Sequence, residues 1–448
     1  MSTSHYFSHS DKIYRRLLVN TDPEAYTAPL AANIEGEQDQ ISPPKSPRST
    51  SLQASFTLFK VFVSSGILAL PIAFSQVGFG LGILGMISLG FLTYYCMRLL
   101  LQVIDDMNAC KNINLQMLTL QNLGKWGKAS VDISLTIMQM GIATAILIFA
   151  MEFVDRLSCD YNLEGYCHNH WVQIGFVVIV VVPLSFINNM HYFYYPSLLA
   201  TFLILVSVIV QMAYNFDRLF SKDASIAKVF EFNFLNLPHF FGVAAYSFEG
   251  IGVIFSIRAI MHKPENFPKV LKIQMFIVGL LYVIFPGISE LALGDDVPDI
   301  VLFSLPLQKF YLVIKIAYVI SALLGYPMQL FPVFIVIEKS RRFKHIFFDE
   351  NERPQRRFLR FMMRMVMISF MLIIAVVAKS FNLFLNLLGS GIFTYLGYLL
   401  PIVIYQVYFK KRAPVYKTVL NCIFFVINVV LGLTGIYVSL KGIIELEK

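Results

Sequence analysis

The sequence predicts an all-α membrane protein of about eleven transmembrane helices, and three observations predict it. Of the 448 residues, 57% are hydrophobic and only 14% charged, with a mean hydropathy of +0.65. A soluble domain carries roughly a quarter charged residues, so this much apolar surface needs lipid as part of its solvent. Second, apolar runs of spanning length follow one another from residue 56 onward. Third, hydrocarbon tolerates no open sheet edge, which leaves helices as the form of those runs.

Residues 1–54 are polar and include the Ser/Pro-rich run Ser42-Pro43-Pro44-Lys45-Ser46-Pro47. No apolar h-region lies near the N-terminus, so no cleavable signal peptide is expected, and the segment reads as a disordered cytoplasmic tail. Its Ser-Pro pairs are candidate phosphorylation sites. Tyr14-Arg15-Arg16-Leu17 fits the YxxΦ sorting pattern, one that also arises often by chance.

The spans are expected near 56–76, 79–104, 130–155, 171–188, 196–216, 237–258, 268–289, 308–337, 358–379, 381–409 and 415–440. Residues 55–441 thus form one transmembrane domain, and 442–448 a short non-cytoplasmic tail. With a cytoplasmic N-terminus, the cytoplasmic links and adjoining segment ends hold roughly 20 Lys and Arg against about 8 opposite. The largest basic block runs from Lys339 to Arg357, whereas Asp295, Asp296 and Asp299 fall on the other face. The formal charge of +8 therefore reads as cationic loops and excludes a nucleic-acid binder, which would gather its charge on one face.

The five cysteines form no CxxC pattern and imply no metal site. Cys159 and Cys167 share a non-cytoplasmic loop where oxidation is permitted, so they are either a local disulfide or two free thiols. No Asn-x-Ser/Thr sequon occurs in the non-cytoplasmic loops. His191 and His262 fall in links, and no histidine lies mid-span.

Two spans break the apolar pattern. The first carries Ser64-Ser65-Gly66-Ile67-Leu68-Ala69-Leu70-Pro71 at mid-segment. Pro71 removes one N–H and frees the carbonyl one turn back. A helix opened at Ser64–Gly66 presents N–H groups and a positive dipole end to a carboxylate, while its loosened carbonyls suit a cation. The sixth carries Gly242 and then Tyr246-Ser247-Phe248-Glu249-Gly250-Ile251-Gly252. Glu249 is an acid inside an apolar run, expensive unless paired, protonated or solvated. Breaks in spans one and six are the arrangement of transporters built from two inverted five-helix repeats, with substrate at the midplane between the discontinuous helices. Spans one to five and six to ten are then the repeats, with span eleven appended.

At these residues the sequence resembles the amino acid/auxin permease family, nearest its proton-coupled and vacuolar amino acid transporter branch. The resemblance runs through Thr57-Leu58-Phe59-Lys60 and Ser65–Pro71, Leu123–Lys128, Gln139-Met140-Gly141, Tyr246–Val253 and Lys263–Pro268. It continues at Tyr326-Pro327-Met328-Gln329 and Asn386–Ser390, and so covers nearly the whole chain from residue 55. It implies a LeuT-like 5+5 fold, amino acid substrates and usually proton coupling. Two departures bear on substrate choice. Ser64-Ser65-Gly66 stands where the family usually has a Gly-Thr-Gly-like run, and the loop after span seven lacks a cysteine, so an inter-loop bridge seen in animal members is absent.

The resemblance places substrate contacts at Ser64, Ser65, Gly66, Ile67, Tyr246, Ser247, Phe248 and Gly250, against close helix packing by small residues as the alternative. Glu249 is either the proton-coupling group or a structural acid capping the broken helix. Thr144, Gln329 and Ser390 are pathway candidates; for the latter two, interhelical hydrogen bonding is the favoured reading, and Thr144 can bond its own helix. The expected activity is secondary active amino acid symport by alternating access, with H+ as coupling ion or Na+ as the alternative, and no cofactor or metal. A membrane amino acid sensor using the same pocket ranks lower, since the tail lacks apolar periodicity. An enzyme ranks last: Asp105-Asp106 reads as a solvated helix end without a facing acidic motif. The partners implied are amino acid and bilayer, with a monomer compatible. The membrane is vacuolar, lysosomal, endosomal or plasma.

Overall fold

The computed structural model describes residues 49–63, 65–107, 113–161, 165–185, 194–220, 232–338, 354–410 and 412–447. The expectations for residues 1–48 of the tail, for Ser64, for His191 and for the basic run 339–353 lie outside these residues, while 51–54, expected in the tail, open the first helix.

The described chain is helical throughout. The first span is broken: α1 (Ser51–Phe62) gives way to a 3-10 segment, Ser65–Ala69, and then to α2 (Leu70–Val77). Thr50 starts α1 with a capping box, its hydroxyl accepting from Gln53 N while the Gln53 side chain accepts from Thr50 N. Gly78 (φ 87°) makes the left-handed turn into α3 (Phe79–Asp106). Next come α4 (Leu115–Asp160), α5 (His170–Ser185) and α6 (Tyr194–Phe220). The sixth span is α7 (Leu237–Ser247) and α8 (Ile251–Ile260), followed by α9 (Phe267–Leu293) and α10 (Lys309–Glu338). Then α11 (Pro354–Ala378) precedes α12 (Phe381–Leu388), two π-helical segments and α13 (Leu400–Phe409), and α14 (Val415–Glu447) closes the chain.

Among the described residues nine helices are long and apolar enough to cross a membrane. The first span is a further candidate bent by 47°, and α5, with 16 residues, is a shorter apolar helix. The link expected over 105–129 is partly helical. Asn114 caps a short helix by accepting from Met117 N (2.8 Å), and Gly124 (φ 73°) redirects the chain into the span proper. Hydropathy did not show this because Leu115–Leu123 mixes apolar and polar residues.

Burial ranks the spans. In the sixth, 78% of the apolar window is buried within the protein, against 22% for the last, so the broken helix is central and α14 peripheral. The segment α7 packs on α12, the first π segment, α14 and α2, while α9 lies along α1, α2 and α3. Contact is close where side chains vanish: a Cβ on Gly242 would lie 1.9 Å from Asn386 Oδ1 and 2.3 Å from Ser390 Oγ.

The connection after α9 folds inward. Ile300, Val301 and Leu302 are wholly buried, and the 3-10 turn Val301–Ser304 rests against the 3-10 segment of span one. A buried polar ladder holds it there. Asn215 Nδ2 donates to Ser289 Oγ (2.7 Å), and Gln211 Nε2 donates to Asn215 Oδ1 and Ser304 Oγ, each at 3.0 Å.

At the opposite end Asp105 and Asp106 are not simply solvated. Asp105 pairs with Arg258 of α8, and Asp106 accepts from Tyr408 Oη (2.9 Å) and lies 3.8 Å from Arg412. The acids sit where α3, α8 and α13 end together, so cations of neighbouring helices reach them.

Candidate functional site

Two helices stop at the centre of the molecule, α1 at Phe62 and α7 at Ser247. Each leaves C-terminal carbonyls without intrahelical donors, at the negative end of its dipole. Tyr282 of α9, wholly buried, reaches both: its hydroxyl contacts Phe62 O and Ser247 O, the latter at 3.0 Å. A phenol has one proton, so one of the two carbonyls always lacks its donor. A cluster of carbonyls in this state attracts an ammonium or another cation.

Glycine permits the breaks to meet. A Cβ on Gly66 would sit 2.8 Å from Ser247 Oγ and 3.0 Å from the Tyr246 ring, and one on Gly250 would sit 2.6 Å from the Phe62 ring. Gly66 and Ile67, in the 3-10 segment, are buried, as are Tyr246, Ser247, Phe248 and Gly250. Ser65 opens that segment through its backbone, and Ser64 lies outside the described residues. Ser247 Oγ donates to Val243 O (3.0 Å), Phe248 packs edge-on against Tyr282 (5.1 Å between centroids), and Tyr246 lies against Phe393 (5.0 Å). Apart from Ser64, the residues expected around the two breaks therefore converge.

Glu249 sits between α7 and α8, where its N–H bonds Tyr246 O (3.2 Å). It lines a small cavity with Thr93, Met97, Met138, Phe393 and Tyr398. Among the described residues no group hydrogen-bonds its carboxylate, so it caps neither half-helix. Thr93 Oγ1 and Tyr398 Oη, 3.2 Å apart, are polar groups of the same cavity.

The pathway candidates divide. Thr144 donates to Met140 O of its own helix (2.9 Å). Ser390 donates to Asn386 Oδ1 (2.9 Å) beneath Gly242 and Gly435, a packing role between spans six, ten and eleven. Gln329 is half-buried on α10 and makes no hydrogen bond among the described residues. Cys159 and Cys167 are joined as a disulfide with Cα atoms 4.8 Å apart.

Sequence reasoning missed the tyrosines. Tyr282 and Tyr318 stand in apolar helices with no break or charge beside them to mark them out. Tyr318 is 1% exposed, and its hydroxyl has no partner among the described residues. His239, in the first turn of α7, is buried with an unpartnered Nδ1; it was overlooked because it sits at a span end.

Residues 47–444 match the profile of the transmembrane amino acid transporter protein family. The chain is 28% identical to vacuolar amino acid transporter 4 of Saccharomyces cerevisiae over 71% of its own length and 45% of that protein's. It is 25% identical to amino acid transporter AVT3C of Arabidopsis thaliana, covering 90% of this chain and 93% of the relative. With vacuolar amino acid transporter 3 of Schizosaccharomyces pombe the identity is 27%, over 78% of this chain and 52% of the relative. The chain thus spans about half the length of the fungal relatives and nearly all of the plant one. Broken helices buried at the centre of an apolar bundle and a profile match over most of the chain agree: this protein belongs to the transmembrane amino acid transporter family.

Proposed function

We propose that the chain moves amino acids across a membrane by alternating access, coupled to protons. Eleven spans then cross, the first ten as two inverted five-helix repeats in a LeuT-like arrangement, with the N-terminus cytoplasmic. The observation that carries this reading is the meeting of α1 and α7 at Tyr282, with Gly66 against Ser247. The under-donated carbonyls suit a substrate ammonium. Backbone N–H groups near Ser65–Ile67 suit its carboxylate, with Tyr246 and Phe248 as walls.

Glu249 serves as the coupling acid in this scheme. It faces a cavity rather than a helix end, so gaining or losing a proton changes the charge of the pathway without removing a cap. Sodium is the alternative coupling ion, held by the loosened carbonyls. The names of the fungal relatives favour a vacuolar or lysosome-like membrane.

Proteoliposome uptake against an amino acid panel, with pH and sodium gradients imposed independently, tests the reading. Accumulation driven by the pH gradient alone is expected, and Glu249→Gln should abolish accumulation while leaving exchange. Accumulation that needs only sodium, or no flux of any amino acid, would overturn it.

A further inference from the structure

The turn that joins α4 to α5 gathers side chains that the central site does not use. Cys159, near the end of α4, is bonded to Cys167, with Cα atoms 4.8 Å apart. His168 follows directly with a left-handed backbone (φ 57°), and its ring lies back against the pair, Nε2 standing 3.9 Å from Cys159 Sγ. One donor atom from each of the three residues lies within 4.8 Å of the others.

The second ring nitrogen of His168 is held. Its Nδ1 lies 3.2 Å from Asp155 Oδ2, while Asp155 Oδ1 accepts from His168 N (2.8 Å) and from Gln173 Nε2 of α5 (3.0 Å). In the neutral ring, a carboxylate at Nδ1 keeps the proton on that side and leaves the Nε2 lone pair facing sulfur. Metal-binding histidines are oriented in this way, the far nitrogen donating to an acid. The spacing suits an ion as well: tetrahedral zinc, with bonds of about 2.3 Å to sulfur and about 2.0 Å to nitrogen, sets those donors roughly 3.5 Å apart. The His168 side chain is 82% exposed, so an ion reaches it from solvent. Cysteine spacing alone implied no metal site, because it does not show the His168 ring folding back on Cys159.

We propose that, once the disulfide is reduced, Cys159, Cys167 and His168 bind one zinc ion, with Asp155 as the positioning residue. Solvent takes the fourth position. A thiol reductant opens the bridge by exchange: two RSH leave as RSSR, and their hydrogens pass to Cys159 and Cys167. Zinc then displaces both thiol protons and binds the thiolates. The same two sulfurs close the turn in either state, through their own bond when oxidised and through the metal when reduced.

Cobalt serves as the probe, because a cobalt–thiolate bond absorbs in the near ultraviolet and zinc can then be read by displacing it. The full chain in nanodiscs, in a background lacking Cys110 and Cys422, is reduced with a phosphine, desalted and titrated. One cobalt per chain is expected, displaced by one zinc, and none in a sample left oxidised. Asp155→Asn should keep the thiolate band and weaken the affinity about 10–100-fold. His168→Asn removes the imidazole while tolerating the left-handed backbone, and should weaken it at least as much. Cys159→Ser should abolish the band, and His170→Ala should leave the affinity unchanged. If Cys159→Ser does not fold, the Asp155 and His168 variants carry the comparison.

A reduced chain without a thiolate band would overturn the proposal, as would equal cobalt binding by the oxidised chain. A band that neither His168→Asn nor Asp155→Asn weakens would mean two thiolates holding an adventitious ion only, and would overturn it too. None of these readouts involves amino acid flux, so their failure leaves the transport reading untouched.

Discussion

Tyr282 is the residue on which the two broken helices close. Its hydroxyl reaches both Phe62 O and Ser247 O, while the ring packs on Phe248. Tyr282→Phe keeps the ring and deletes the link. We expect a folded protein with uptake lowered about tenfold, since the one donor shared by two buried carbonyls is lost at roughly 1–3 kcal/mol. Uptake normalised to surface expression measures this; unchanged kinetics would show the link to be incidental. Gly242 tests packing in the same way. Gly242→Ala places a methyl against Asn386 and Ser390 and should cost about 1–3 kcal/mol, read as a lower melting temperature in detergent. Gly279, with nothing within 4 Å of its virtual Cβ, is the control, and Gly279→Ala should hold or raise the melting temperature. At this scale the sequence disclosed residues that punctuate: Gly66, Glu249 and Gly250 interrupt an apolar run. Tyr282 and Tyr318 interrupt nothing, and only their partners, or the lack of them, mark them.

Among the elements, α12 shows how one helix start is held by its neighbours. Phe381 N, an N–H with no partner inside the helix, donates to Glu152 of α4 (2.7 Å). Ser380 Oγ accepts from Leu383 N and donates to Asp299 of the inward-folded connection, both at 3.3 Å. Three elements thus meet on two capping groups. Glu152→Gln retains an accepting oxygen and should melt close to wild type, whereas Glu152→Ala strands the N–H and should cost about 1.5–3 kcal/mol. Equal melting temperatures for the two variants would show that water or another group caps α12. Element positions were legible because hydropathy is a property of runs. The end contacts were not, since Glu152 and Phe381 lie far apart in sequence and no local pattern pairs them. The Gly124 turn was hidden for a related reason: a single backbone angle leaves hydropathy unchanged.

For the whole molecule, the alternating access proposed above requires that the two ends open in turn. The buried connection Val301–Ser304 closes one end, pinned by Gln211 and Ser304. At the other end Asp105 with Arg258, and Asp106 with Tyr408 and Arg412, tie α3 to α8 and α13. The cavity beside Glu249 is lined by Thr93 and Met97 of α3 and Ile251 of α8, the helices this second set ties together. Cys96, wholly buried with its thiol 3.9 Å from Tyr398 O, is a natural reporter there. Asp105→Asn removes an ion pair whose partners are 17% and 48% exposed at the side chain, so about 1 kcal/mol is the reasonable loss. That shifts an opening equilibrium about fivefold. In a background lacking Cys110 and Cys422, Cys96 should therefore react with a polar thiol reagent about fivefold faster in Asp105→Asn than in its parent. High salt should narrow the gap by speeding the parent, because it screens the half-exposed pair. Equal rates at low salt would mean that the ionic set does not hold this end shut, leaving the packing of α8 on α1 and α4 to do so.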